Sequence, residues 1–354
     1  MRALVYYGKE DVRVEDIAEP GELGPHEVRI RPFMSGICGT DLHEYLHGAI
    51  FVPTSPHPLT GAQAPQVLGH EFGGEVLEIG PEVTGIHVGD RASIMPLISC
   101  GKCYHCRRGN NQRCELTAFV GLSWRSGGLS EQAVVYDYQV AVVPDSVSDI
   151  QAAIMEPASV AAHAVEQSGM GPGDTVLITG TGPIGALTAL YCYASGAGQI
   201  IMSEPNPARR TLVEALGVAT ILDPTSVDVP EAVRGMTGGR GADVAVECSG
   251  SAPGLVSAMS GVRPGGTVSQ VGLHTGPATI DPIGLCVREI NLIGSFCYPV
   301  YSFPRTISLV ATGRYPLEKI LTGIIDVSEV VDRGFNRLVD PKGDALKILV
   351  KAAK

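Results

Sequence analysis

The stretch Thr175-Val-Leu-Ile-Thr-Gly-Thr-Gly-Pro-Ile-Gly185 joins a short apolar run to a glycine-rich turn. The run 175–179 predicts a buried strand, and the apolar segment 186–194 behind the turn predicts a helix. Between a strand and a helix, a G-x-G-x-x-G turn indicates a dinucleotide site, because its backbone can hold a pyrophosphate at the helix amino terminus. The turn residues that we expect to contact a cofactor are Gly180, Gly182, Pro183, Ile184 and Gly185.

Short apolar runs recur after this turn, and helical segments lie between most of them. Six strands alternating with helices predict a complete doubly wound parallel sheet, which is a Rossmann domain, over residues 153–297. The predicted strands are 175–179, 199–203, 218–222, 242–247, 266–271 and 290–296.

Glu204 ends the second of these strands, 19 residues after Gly185. A carboxylate at this position accepts hydrogen bonds from the adenosine ribose hydroxyls and repels a 2′-phosphate, so NAD is favoured over NADP. Arg209 and Arg210 follow, and they either lie along the adenine or are surface charges of the next helix. At the carboxyl ends of later strands, the residues predicted to lie near the nicotinamide ribose are Ser249, Val271 and Gly272.

The first 152 residues have a different character, because short alternating segments bounded by proline and glycine dominate them. They predict a partly open β-barrel, and the long irregular stretch 51–65 predicts a functional loop. Residues 298–354 end in a predicted strand, 347–351, and return to a β-rich character. We expect them to rejoin the first domain, which places an active site in the cleft between the two domains.

The stretch Cys38-Gly-Thr-Asp-Leu-His43 is expected to be a loop, and it brings together a thiolate, a hydroxyl and an imidazole. A thiolate can bind a metal, a hydroxyl beside the metal can take a proton from an alcohol, and an imidazole can pass that proton on. A lone cysteine is otherwise most often a small buried hydrophobic residue. Cys, His and Glu as three protein ligands with one open position suit a catalytic zinc. The candidate ligands are Cys38, His70 and Glu156; Thr40, His43 and Glu71 are the other candidate catalytic residues.

Four more cysteines lie in a lobe at about 96–116, spaced C-x2-C-x2-C-x7-C. This spacing can close a tetrahedral zinc site of four thiolates without distant help, and a site with no open position is structural. Two disulfides would require an oxidising compartment, and an iron–sulfur cluster is compatible with the spacing alone. The four residues are Cys100, Cys103, Cys106 and Cys114.

The composition narrows the class of protein. A length of 354 residues suggests about two domains, and 44% hydrophobic with 18% charged residues indicates a folded globular chain. A net charge of -11 argues against nucleic acid or an anionic membrane as partner. No apolar run is long enough for a membrane span, and the amino terminus predicts a strand, so we expect a cytoplasmic protein.

The chain resembles the zinc-dependent medium-chain alcohol dehydrogenases, because it carries four motifs in the order found in that family. They are the Cys38 stretch, Gly69-His70-Glu71, the four-cysteine lobe and the glycine-rich turn. Glu156 in place of a second cysteine resembles the polyol and 2,3-butanediol dehydrogenase branch. Within that branch, the stretches 41–46 and 56–60 are most similar to the butanediol enzymes. The resemblance implies a GroES-like β-barrel catalytic domain with a Rossmann domain, and two zinc ions per chain. It also implies hydride transfer to NAD and a proton path through Thr40 and His43. Glu71 is then expected either to lie next to the zinc ligands or to bind the zinc directly.

The expected reaction therefore interconverts a vicinal diol and an α-hydroxyketone, with 2,3-butanediol and acetoin as the best candidates. A sorbitol-type polyol dehydrogenase or a threonine dehydrogenase uses the same chemistry and remains an alternative. A non-catalytic dinucleotide-binding protein is the alternative from another class, but such a protein should have lost some of the metal and proton-path residues. We expect a small-molecule substrate and a homodimer or homotetramer.

Overall fold

The structure, a computed structural model, describes residues 1–340 and 343–351. In chain order, the strands are β1 (Arg2–Gly8), β2 (Asp11–Asp16), β3 (Glu27–Gly36), β4 (Gln66–Val67), β5 (Glu71–Ile79), β6 (Arg91–Ile94), β7 (Leu97–Ile98), β8 (Ala118–Phe119), β9 (Ala133–Tyr136), β10 (Val140–Val142), β11 (Thr175–Thr179), β12 (Gln199–Ser203), β13 (Thr220–Leu222), β14 (Ala242–Glu247), β15 (Val262–Gln270), β16 (Asn291–Gly294), β17 (Leu321–Asp326) and β18 (Lys347–Lys351). The α-helices are α1 (Gly39–His47), α2 (Asp149–Ser168), α3 (Pro183–Ala194), α4 (Pro207–Glu214), α5 (Val229–Met236), α6 (Ala252–Gly261), α7 (Pro282–Val287), α8 (Ser302–Ala311) and α9 (Asn336–Val339).

The second half of the chain forms a six-stranded parallel sheet in the order β13-β12-β11-β14-β15-β16. Every ladder in it is parallel, with Ile178 of the central strand β11 opposite Met202 on one side and Val246 on the other. All five residues of β11 are buried, as expected for a strand covered by helices on both faces. The predicted doubly wound sheet is confirmed.

Strands from both ends of the chain meet in a seven-stranded sheet, ordered β10-β6-β5-β3-β18-β17 with β9 also on β3. The end of β3 is central, because Gly36 lies opposite Glu71 of β5 and opposite Leu349 of β18. This register brings the start of β5 and the last described strand to the point where α1 begins. Two smaller sheets, β2-β1-β4 and β7-β8, complete the β-rich half.

The long helix α2 connects the two halves. Its first turn is capped by Ser148, whose hydroxyl accepts a hydrogen bond from Gln151 N at 3.2 Å, and Gly169 ends it with φ 74°. It packs against β5 and β3 on one side and against α3 and β14 on the other. Its many alanines allow close approach of these elements, and it carries Glu156 into their interface.

Three local predictions differ from the structure. The sequence predicts a loop at the Cys38 stretch, but α1 begins at Gly39 and is held by Asp41, whose Oδ2 accepts from Cys38 N at 2.9 Å. Helix α3 begins at Pro183 rather than 186, because proline is well tolerated in a first turn. The β-rich segment 298–354 contains α8, where Phe303, Ile307 and Val310 are buried at helical spacing. Among the described residues, no helix is both long and apolar enough to cross a lipid bilayer.

Candidate active site

A cavity of about 280 Å³ lies where the ends of β3, β5 and β18 meet α2 and the glycine-rich turn. Most of the residues predicted from the sequence line it. They are Cys38, Thr40, His43, His70, Glu71, Glu156, Gly182, Pro183, Ile184, Val271 and Gly272. The other predicted cofactor residues do not line this cavity. Gly180, Gly185 and Ser249 form or support the glycine-rich turn, and Glu204 and Arg209 follow β12.

Metal-binding atoms of Cys38, His70 and Glu71 lie within 4.8 Å of one another. Their positions follow from the chain path, because Cys38 precedes α1 while His70 and Glu71 lie at the start of β5, opposite the end of β3. Sulfur, imidazole nitrogen and carboxylate oxygen are all ligands of zinc. The arrangement fits a metal ion of this kind.

Glu156 faces the same cavity from α2, although it is not part of this closest group of three. Burial and the nearby Glu71 carboxylate raise the pKa of Glu156 to about 7, and the same two causes raise the pKa of the Cys38 thiol. Three side chains that can carry negative charge, those of Cys38, Glu71 and Glu156, therefore lie close together where water does not stabilise their charge. A divalent cation would supply the missing positive charge.

Lys347 also lies at this centre, although no motif in the sequence identifies it. Its side chain is 1% exposed, its Nζ forms an ion pair with Glu71 Oε2, and Nζ also donates to the Ile37 carbonyl at 2.9 Å. Desolvation opposes protonation of Lys347, but the charge of Glu71 prevails and raises the pKa of Lys347, so the lysine keeps its positive charge. A signal existed, because Lys347 is the only charged residue in the apolar run 345–350.

Asp41 is a second missed residue, and it is fully buried. Its Oδ1 lies 3.5 Å from His70 Nδ1, which leaves the other ring nitrogen of His70 for a metal. A carboxylate behind a histidine ligand orients the ring and raises its basicity. Desolvation opposes protonation of His70, but the charges of Asp41 and Cys38 prevail and raise its pKa well above the usual value.

Thr40 and His43 lie three residues apart on α1 and both line the cavity. The Thr40 hydroxyl is 3.7 Å from Cys38 Sγ, so it stands beside the metal-binding group. Burial, and to a lesser extent the charge of His47, lower the pKa of His43. The imidazole is therefore neutral at neutral pH and can accept a proton.

The four cysteines of the lobe meet as predicted, with their sulfur atoms within 4.8 Å of one another, and all are free thiols in the structure. Backbone N–H groups point at the sulfurs, for example Cys103 N at 3.4 Å from Cys100 Sγ. Such donors from Cys106 and Glu115 lower the pKa of Cys103 to about 6, whereas burial raises the pKa of Cys114 to about 12. The set suits one tetrahedral metal ion with no open position.

The glycine-rich turn has the geometry that a dinucleotide requires. Gly180 has φ 89°, and a Cβ there would come within 2.7 Å of the Ser249 backbone, so only glycine fits. Gly182 is the N-cap residue just before α3, and a Cβ on it would point into open space, where a phosphate group has room to approach the backbone. The turn is tied to β12, because Glu204 Oε2 accepts from Thr181 N at 3.0 Å and from its hydroxyl at 2.9 Å.

The two arginines after Glu204 differ in their surroundings. Arg210 pairs with Asp223 at 3.0 Å and donates to the carbonyls of Glu204 and Pro205, so its guanidinium is already engaged. Arg209 has a buried Nε that makes no hydrogen bond within the described residues. Of the pair, Arg209 is the one with capacity for a ligand.

Comparisons with known proteins match both halves of the chain. Residues 24–145 match the model of the alcohol dehydrogenase GroES-like domain, and residues 183–312 match that of the zinc-binding dehydrogenase domain. The chain is 38% identical over 360 residues to (R,R)-butanediol dehydrogenase of Neisseria gonorrhoeae, with 99% of each chain covered.

Solved structures show the same relationship. The crystal structure of 2R,3R-butanediol dehydrogenase from Bacillus subtilis superposes with a TM-score of 0.93 at 36% identity, covering 99% of both chains. A putative zinc-binding dehydrogenase from Sinorhizobium meliloti, crystallised bound to NADP, gives a TM-score of 0.89 at 31% identity, covering 99% of this chain and 98% of that one.

Proposed function

Because this chain belongs to the zinc-dependent medium-chain alcohol dehydrogenases, we propose that it interconverts 2,3-butanediol and acetoin by hydride transfer to and from NAD. Membership of the family makes it an oxidoreductase that uses zinc and a nicotinamide dinucleotide. The observation that carries the proposal is one cavity lined by Cys38, His70 and Glu156 and also by the turn residue Gly182. The substrate follows from the butanediol dehydrogenases to which the chain is similar.

Cys38, His70 and Glu156 are the proposed ligands of the catalytic zinc, with Glu71 held beside them by Lys347. When bound, the zinc would supply Lewis-acid polarisation of the substrate oxygen, and the dinucleotide would supply the hydride acceptor. The lobe cysteines hold the second, structural zinc that we propose.

The chain's own groups manage the proton. Thr40 Oγ1 stands beside Cys38 Sγ and accepts the proton of the substrate hydroxyl. His43, kept neutral by its lowered pKa, would receive the proton that the Thr40 hydroxyl passes on and release it to water. Apolar side chains such as Phe51 and Leu122 exclude other water from the reacting carbon.

Glu204 sets the proposed preference for NAD. Its carboxylate, fixed by Thr181, lies at the end of β12, where the adenosine ribose hydroxyls of a bound dinucleotide are expected. Arg210 is held by Asp223 and therefore does not offer its charge to a 2′-phosphate.

The test is a screen for NADH formation with the stereoisomers of 2,3-butanediol, sorbitol, threonine and simple alcohols. We expect the highest kcat/KM with a 2,3-butanediol isomer. A higher value with sorbitol or threonine would replace the proposed substrate, and no turnover of any alcohol by zinc-loaded protein would overturn the enzymatic assignment.

A further inference from the structure

Glu44 is a charged residue in α1 that the proposed mechanism does not use. It is fully buried. Its carboxylate accepts hydrogen bonds from three consecutive backbone N–H groups beyond the helix, those of Ile50 at 2.9 Å, Phe51, and Val52 at 3.3 Å. Burial raises the pKa of Glu44, and these three donors oppose that shift. A buried carboxylate is costly unless it is bonded in this way.

The backbone carbonyl of Glu44 fixes the other side of the same segment. It accepts from Gly48 N at 3.0 Å, where the chain turns with φ 95°, and from the hydroxyl of Tyr6 in β1 at 3.2 Å. One residue therefore attaches the segment 48–52 both to α1 and to the sheet behind it.

The segment carries Phe51 into the wall of the cavity. Its ring stacks on Phe296 with centroids 6.3 Å apart, and it meets Phe119 edge-on at 6.3 Å. Phe119 and Phe296 also contact each other, at 6.2 Å, and all three rings line the cavity. The three come from separate parts of the chain, so the shape of this aromatic wall depends on where each backbone is held.

Glu44 does not reach the reacting centre. Of the described residues, Phe51 lines the cavity and Glu44 does not. Both of its carboxylate oxygens are directed at the 50–52 backbone, so it is neither a proton acceptor for substrate nor a metal ligand. An apolar side chain of similar size would fill the same space without a desolvation cost, so packing alone does not explain a carboxylate there.

We propose that Glu44 is a positioning residue for substrate specificity. It holds Phe51 against Phe119 and Phe296, and the aromatic wall limits the substrate to short apolar groups on the carbon atoms next to the reacting one. This inference rests on the proposed diol dehydrogenase function and adds to it the residue that sets the size limit.

The test compares kcat and KM for 2,3-butanediol and 3,4-hexanediol, in which each methyl group is replaced by ethyl. The variants are E44Q, F51A and the double variant. An amide keeps the size of Glu44 but places an N–H donor against one of the backbone donors. In E44Q we expect KM for butanediol to rise about tenfold with kcat little changed, and the preference for butanediol over hexanediol to fall about tenfold, since one methylene is worth about 10–200-fold.

The double variant separates positioning from general damage. If Glu44 acts through Phe51, E44Q adds little to the loss of preference in F51A. Additive losses of preference, or an unchanged preference in E44Q while F51A loses it, would overturn the proposal. Should E44Q fail to fold, E44D keeps the charge but is one methylene shorter, and the same loss of preference is expected.

Glu27 provides the matched control. It is also a buried carboxylate that accepts from a backbone N–H, that of Gly24 at 2.7 Å, and it pairs with Arg125 away from the cavity. E27Q should lower the melting temperature without changing the preference between the two diols.

If the wild type does not oxidise butanediol, the proposed function fails. The same variants are then compared on 2-butanol and 3-hexanol, which test the role of Glu44 independently.

Discussion

Thr40 and His43 occupy one face of α1, but they differ in what can replace them. Thr40 Oγ1 stands 3.7 Å from Sγ of Cys38, a proposed zinc ligand, so we expect it to contact the reacting oxygen directly. Both side chains are half-buried, and His43 lies about one helical turn further from Cys38 along α1. We expect Thr40→Ala to lower kcat by about 10²–10⁴-fold and His43→Ala to fall at or below the low end of that range.

Small buffer bases should restore part of the activity of His43→Ala and none of that of Thr40→Ala. The measurement is kcat against buffer concentration at fixed pH and ionic strength. Equal rescue of the two variants, or full activity in Thr40→Ala, would show that the proton takes another route.

Glu204 gives a second prediction at the scale of a residue. Glu204→Ser removes the proposed ribose acceptor and also the ties to Thr181. KM for NAD should rise about tenfold, since hydrogen bonds to a charged group are worth about 1.5–3 kcal/mol, and NADP should become a usable cofactor. Kinetics with both cofactors measure this, and a wild-type preference for NADP would contradict the role of Glu204.

Site residues could be predicted from the sequence where they belong to short motifs, in which the chemically active residues lie a few positions apart. Local motifs identify Cys38, His70 and Glu71, and the structure brings them together. Lys347 was missed because it lies 276 residues from Glu71 in sequence, and a local pattern carries no information about a partner at that distance. Glu44 was missed because its partners are backbone groups, which no sequence displays.

The four-cysteine lobe is an element whose contribution should be stability. We expect wild-type protein to contain two zinc ions per chain. Cys103→Ser should contain one and should melt at a lower temperature, because binding of a structural metal is part of the free energy of folding. Elemental analysis and thermal melting measure both effects.

Cys286 is a suitable control for this variant, because it is exposed and lies outside both groups of metal donors. Cys286→Ser should keep two zinc ions and the wild-type melting temperature. One zinc ion in wild-type protein, or iron in the lobe, would contradict the proposed structural zinc.

The sequence predicts best those elements that have a clear local pattern of apolar residues or glycines. The strands β11 and β12 each have an unbroken apolar centre, and β14 is apolar except at Asp243 and Glu247. The turn at Gly180 is fixed by steric requirements that only glycine meets. The short helix α1 has too few turns for a period, and its start depends on the bond from Cys38 N to Asp41. Its helical state was therefore not evident from the sequence pattern.

The stability of the whole molecule should depend on pH through His163, which is buried in α2. Burial, and then the charge of Arg113 in the lobe, lower the pKa of His163 to about 4. The pKa of a histidine in the unfolded chain is about 6.5. Below this pH the unfolded chain binds a proton at His163, whereas the native state does so only near pH 4. The free energy of unfolding should therefore fall as the pH drops through this window.

His163→Gln should remove this dependence. Between pH 7 and pH 5, wild-type protein should lose about 2 kcal/mol more stability than the variant, as measured by urea unfolding at the two values. His87→Gln, at an exposed histidine, should keep the wild-type slope. An unchanged slope in His163→Gln would contradict the assignment.

The place of Lys347 in the chain also affects how the site forms during synthesis. Cys38, His70 and Glu156 leave the ribosome long before residue 347 does. Until β18 takes its place between β3 and β17, Glu71 lacks the buried cation that it pairs with in the folded protein. An early metal ion would therefore meet an incomplete site with one more uncompensated negative charge, and the metal centre reaches its final form only when the last strand of the sheet joins it.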